Sequence, residues 1–133
     1  MLIKLKKTSD VTRKDERDRH AAVFGSTRSL VVMAIEHYPG YTVFWVDRAG
    51  IFLALRGDLV DIVDGTLSRW WRASMRGDRL FIGPPEIASA DFEVDPTERP
   101  EASYDAYSTA RRRIFEEAAT IDPEAYDVRR FSK

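Results

Sequence analysis

Two adjacent tryptophans, Trp70 and Trp71, stand among arginines in the stretch LSRWWRASMRGDR, residues 67–79. Tryptophan and arginine together anchor protein interfaces, and the same pair can stack a base and hold its phosphate. Which of these applies depends on the element that carries them. Leu59, Ile62, Val63, Thr66, Leu67 and Trp70 recur at helical spacing. The spacing predicts a helix over 58–76, with Trp70 on the buried stripe, Trp71 at its border and Arg69, Arg72 and Arg76 on the far side. Asp58, Asp61 and Asp64 at its start and the arginines at its end would complement the helix dipole, and Gly77 would stop it. On such a helix Trp71, with Met75 and Arg72, forms an aromatic rim for a partner.

A second candidate is acidic. Residues 90–107, ADFEVDPTERPEASYDAY, set Tyr104 among Glu98, Glu101 and Asp105. Acidic residues interleaved with aromatics suit a basic protein surface, where complementary charge speeds association. The simpler reading of the same residues is a solvated connection that leads into a helix.

Catalytic chemistry has few carriers. The chain has no cysteine and only two histidines, His20 and His37. An enzymatic alternative would assemble Glu36, His37 and Arg56 at the end of the sheet. Adjacent residues of a strand point to opposite faces, so Glu36 would not orient His37 while the strand continues. Asp58, Asp61 and Asp64 rotate along a helix rather than converge on a cation. The chain has no EF-hand loop and no glycine-rich phosphate loop, so neither a metal nor a cofactor is expected.

The strongest basic run is Arg111-Arg112-Arg113. A triplet on a helix sweeps about 200° of arc, which places at least one arginine along the edge of the core. Glu116 and Glu117 lie within helical reach of the run. Trp71, Arg72 and the triplet could together touch nucleic acid. A formal net charge of -1, from 21 basic and 22 acidic residues, argues against that alternative.

These side chains must be positioned by a small number of elements. LIKLKK, residues 2–7, alternates apolar and charged residues as a strand does. Residues 8–26 are rich in charge and read as a solvated helix or a mobile segment. Three apolar runs, 29–37, 41–47 and 51–56, are separated by Pro39-Gly40 and Asp47-Arg48-Ala49-Gly50, both with turn chemistry. They predict an antiparallel meander. Both of its faces are apolar, so both need cover, from helices or from a second copy of the chain. Residues 79–83 form a short strand before Pro84-Pro85; 86–94 read as strand or loop, and 95–101 as a linker. A helix follows, with Tyr107, Ala110, Ile114, Ala118 and Ile121 along one stripe.

The expected fold is α+β: one domain over 1–133, with an antiparallel meander sheet of about four to six strands and two main helices. No apolar run reaches the ~18 residues of a spanning helix, and no signal segment is evident, so no membrane partner and a cytoplasmic location are expected. By elimination, binding fits this inventory better than catalysis. The expected function is a small protein-binding module. An inhibitor or immunity-type protein that neutralises a cationic partner, such as a bacterial toxin domain, is one form of it. Its partner-binding residues would be Trp71, Arg72, Glu98, Glu101, Tyr104 and Asp105, and a homodimer is compatible with the two-faced sheet.

Overall fold

The structure is a computed structural model that describes residues 1–25, 28–48, 51–88 and 101–125. Within these it describes the backbone alone at 48, 51–52, 87–88 and 101–106. The strands are β1 (Leu2–Leu5), β2 (Leu30–Tyr38), β3 (Tyr41–Arg48), β4 (Ile51–Arg56), β5 (Val60–Asp64), β6 (Arg72–Arg76) and β7 (Arg79–Gly83). The helices are α1 (Lys14–Phe24), the single turn α2 (Pro85–Ala88) and α3 (Glu101–Ala119). The α+β class holds, with seven antiparallel strands among the described residues rather than the smaller number expected.

The extra strands come from the segment read as a helix. Residues 58–76 contain a 3-10 turn at Gly57–Leu59, then β5, a loop and β6. The stripe that suggested a helix is not a buried face: Ile62, Val63 and Leu67 are 57%, 48% and 52% exposed. Val60, Ile62 and Val63 are β-branched, and β1 offers β5 a ladder in which Leu5 faces Val60 and Ile3 faces Ile62. Tertiary pairing therefore overrides the spacing. The strand ends where the Thr66 N–H donates to Asp64 Oδ1 at 2.9 Å, an Asx turn that competes with helix. This bond, with the one from the Thr66 side chain, holds the Asp64 carboxyl below its ordinary pKa.

The meander forms as the turn chemistry requires. Tyr38 pairs with Tyr41 across Pro39-Gly40. Gly40 has φ +88, the left-handed conformation that a glycine reaches without cost. Ala49 and Gly50 of the second turn lie outside the described residues. β2 is the hub of the sheet. It pairs with β3, with β1 through Leu30 and Val31, and with β7 through Ile35, Glu36 and His37.

Five strands run in the order β4-β3-β2-β1-β5, so β4 and β5 lie at opposite ends of the path. Only Gly57–Leu59 separates them in sequence. Four peptide steps reach at most about 14 Å, less than the width of a flat five-strand path, so the sheet must curl to bring these two strand ends within that distance. Ile35, Phe44 and Leu55 stand opposite one another across β2, β3 and β4 and point into the curl. Leu55 and Leu59 are fully buried there.

The outer face is covered by α3 at one end. Tyr107, Ala110, Ile114, Phe115 and Ala118 are buried, and Ile121, beyond the helix end, is 41% exposed. Asp47, on the outer face of β3, takes hydrogen bonds from the Tyr107 hydroxyl and from Arg111 Nε, the latter at 2.8 Å. The Arg111 guanidinium also lies 4.9 Å from the Phe115 ring centre, so this arginine does run along the core edge. The cover expected on both faces of the meander comes from the chain itself along β2, where residues 30–36 are all buried.

The charged segment 8–26 contains α1, which is tied down rather than only solvated. Arg17 is buried and its Nε donates to the Lys6 carbonyl at 2.7 Å; Phe24 joins the core. Residues 95–100 of the linker lie outside the described residues.

β7 crosses β2 closely at Gly83. A Cβ built there would lie 2.8 Å from Ala34 Cβ and 2.8 Å from Phe81 Cε1. Gly83→Ala is therefore expected to destabilise the fold by about 1–3 kcal/mol through overpacking, read as a lower denaturant midpoint at unchanged slope. The two tryptophans give a second check. Trp71 is 6% exposed and part of the core, whereas Trp70 is only partly buried. Trp71→Ala should cost about 3–5 kcal/mol and Trp70→Ala clearly less, by the same measurement.

Candidate functional site

The segment that raised the first functional question supplies less surface than its sequence suggests. With β6 in place of a helix, the tryptophans exchange roles: Trp71 is buried and Trp70 lies at the border. The Trp70 ring has the guanidinium carbons of Arg69 and Arg113 each 4.7 Å from its centre. Arg72 is exposed, yet its Nη1 donates to the carbonyls of Trp71 at 2.8 Å and Arg69 at 3.2 Å. Met75 is 65% exposed, but Trp71, with which a rim was expected, is buried. Glu98 lies outside the described residues. For Glu101, Tyr104 and Asp105 the structure gives the backbone of the first turns of α3.

The arginine triplet is largely engaged within the chain. Arg111 holds Asp47, and Arg113 Nη1 holds Glu86 Oε1 at 3.0 Å. Glu117 turns away from the triplet to accept the Arg69 N–H at 3.3 Å. Arg112 is exposed.

Glu36, His37 and Arg56 do not converge. Glu36 is 6% exposed and accepts from Trp45 Nε1 at 2.8 Å and from the Tyr38 hydroxyl at 3.1 Å, with Arg79 Nη1 at 3.3 Å. His37 is exposed on the opposite side of the strand, its Nδ1 2.7 Å from Thr42 Oγ1. Val43 stands between Glu36 and Arg56 across the ladder.

The residues that do come together lie at the open end of the curl. Across β7, β2, β3 and β4 runs a row of Arg79, Tyr38, Tyr41 and Arg56. The tyrosine rings stack at 4.8 Å with 6° between their planes. Arg56 caps Tyr41 at 4.2 Å, and Arg79 lies 5.7 Å from the Tyr38 ring centre. Each guanidinium lies within cation–π reach of a ring, Arg79 also donates to the Tyr38 hydroxyl at 3.1 Å, and each ring is spaced by its strand. Burial pushes the Tyr38 phenol above its ordinary pKa, and the hydrogen bond from Arg79 opposes the rise.

Beside this row opens a cleft of about 560 Å³, lined by Gly40, Tyr41, Thr42, Phe44, Arg56, Gly57, Asp58, Val60 and Ile62. It lies where the curled sheet brings β3 opposite β5. Its wall is apolar on the Phe44, Val60 and Ile62 side and polar at Arg56, Thr42 and Asp58. Sequence reading missed it because β5 was assigned to a helix. The alternation of Val60 and Ile62, and the Tyr-Pro-Gly-Tyr turn that sets the two rings opposite each other, were the available signals.

Among the described residues no group of carboxylates and histidines could hold a metal ion, and no helix is long and apolar enough to cross a membrane. Tyr38 supplies the test of the row. Its raised pKa means that the stabilisation linked to the neutral phenol is complete below the ordinary tyrosine value of about 10 and is lost as pH rises through the folded value. In an alkaline absorbance titration Tyr38→Phe should remove one late-ionising phenol, and Arg79→Gln should delay the ionisation of Tyr38 further. No protein-family model matches the chain, and no curated protein or solved structure is significantly similar to it.

Proposed function

We propose that this chain is a protein-binding module that docks its partner at the mouth of the curled sheet. The observation that carries the reading is the Arg79–Tyr38–Tyr41–Arg56 row beside an apolar cleft whose rim residue Ile62 is 57% exposed. Tyrosine and arginine are the residues that concentrate binding energy at interfaces. Here they are ordered before any partner arrives, so little side-chain freedom is lost on docking. Tyr41 itself is 38% exposed. The inhibitor form of the reading, with Glu98, Glu101 and Asp105 facing a cationic partner, rests on the sequence alone.

A photo-crosslinking side chain at position 41, in cells that produce the protein, should give a protein adduct of defined mass. The same side chain at position 112 on α3 should give none. Tyr41→Ala should then weaken the purified complex by at least about tenfold, roughly 1.4 kcal/mol. Adducts at 112 alone, or none at either position, would overturn the assignment of the surface.

A further inference from the structure

We infer that the chain associates with itself edge to edge, β5 of one copy adding as an antiparallel strand to β6 of a second copy. The inference is independent of the docking proposed at Tyr41. It concerns two edges of the sheet rather than its mouth.

The open edges are the first argument. Among the described residues β5 pairs with β1 alone and β6 with β7 alone. The register decides which backbone groups point outward. Arg76 and Arg79 face each other across the two-residue Gly77-Asp78 turn, so they exchange hydrogen bonds with each other. By alternation Ser74 and Arg72 also bond to β7, and the N–H and C=O of Ala73 and Met75 point away from it. On β5 the Lys6 N–H donates to the opposite Leu59 carbonyl at 2.9 Å. Alternation from there turns Asp61 to β1 and Ile62 to the open side. Lysine and proline, which blunt open edges, are absent from both strands. Ile62, Val63 and Met75 are also among the exposed large apolar residues.

The order of charges is the second argument. β5 carries Asp61 and Asp64 and no cation; β6 carries Arg72 and Arg76 and no anion. Each has contacts of its own. Lys4 stands opposite Asp61 on the β1 side, Asp64 accepts the Thr66 N–H, Arg72 donates to two carbonyls, and Arg76 lies 4.8 Å over the Phe81 ring. Their spacing along the edges selects the register. A ladder forms when outward residues face outward residues. Ile62 opposite Met75 of a second copy sets Asp61 opposite Arg76, and Val63 opposite Ser74. A shift of two sets Ile62 opposite Ala73, and then neither aspartate faces an arginine. One register therefore matches the exposed apolar pair and an opposite-charge pair together.

The same spacing disfavours pairing of like edges. Full self-pairing of β6 would set Arg72 opposite Arg76, and self-pairing of β5 about Ile62 would set its two Asp61 carboxylates on a diagonal. The contact is thus heterologous: each copy gives a different edge at each end, and the assembly grows past two copies or closes as a ring.

Sedimentation velocity of the purified full chain over a range of concentrations tests this. The mass should rise above that of one chain as concentration increases. Asp61→Arg and Arg76→Glu each set like charges opposite one another, and each alone should weaken the association by at least about tenfold. An equimolar mixture of the two variants should regain it, because the reversed charges then face each other. Damage to the fold would not produce that recovery, and thermal melting of each variant checks it separately.

A single-chain mass at every concentration, unchanged association of either variant, or a mixture no stronger than its components would overturn the inference. The measurement uses the purified chain alone, so each of these results would leave the reading of the Tyr41 surface standing.

Discussion

Gly57–Leu59 is the constraint on which the rest of the structure depends. Three residues join strands that lie at the two ends of a five-strand path. A flat sheet cannot satisfy that connection. The curl it imposes turns one face of the meander into an enclosed interior and brings β3 opposite β5. Gly57 suits the tight approach, since a Cβ there would lie 3.3 Å from the Thr42 carbonyl oxygen. The interior fills with Ile35, Phe44, Leu55 and Leu59, and the unfilled end is the cleft.

The outer face is secured differently. Asp47 is a carboxylate with its side chain fully buried. It is held by a tyrosine and an arginine that both come from α3. A buried charge is tolerable only when its lone pairs are occupied. The two donors stand one helical turn apart, which fixes both the rotation and the height of α3 on the sheet. The same helix, through Arg113, reaches Glu86 on α2 and the ring of Trp70. The loop between β5 and β6 is thus anchored to the helix by arginines that a surface reading would have left to solvent.

The sequence made much of the fold legible where local chemistry and tertiary pairing agree. The strand alternation of Ile3 and Leu5, the apolar runs of β2 to β4, the positive-φ glycine after Pro39 and the stripe of α3 from Tyr107 to Ala118 appear where their patterns put them. Residues 58–76 failed because an apolar residue every three or four positions is also what a strand, a turn and a loop can produce when read together. The partner of β5, β1, lies nearly sixty residues earlier, and no local pattern reports such a pairing, whereas β6 pairs with β7 just beyond it. The site was legible only in fragments. Glu36 and His37 were visible as titratable groups, but Tyr38, Tyr41, Arg56 and Arg79 become a row only once their strands are set in register.

The placement of β1 has a temporal consequence. β1 precedes the other described strands in the chain, yet it must sit between β2 and β5, with Leu2 opposite Val31 on one side and Asp64 on the other. Neither edge of it can be satisfied early. The hairpin of β2 and β3 can close from local contacts, but the curl waits for the chain to extend past Asp64. Contacts of such long sequence separation are slow to find because loop closure precedes their reward. A nascent chain halted before that point would hold a meander with two bare apolar faces, the state in which a chaperone has most to bind.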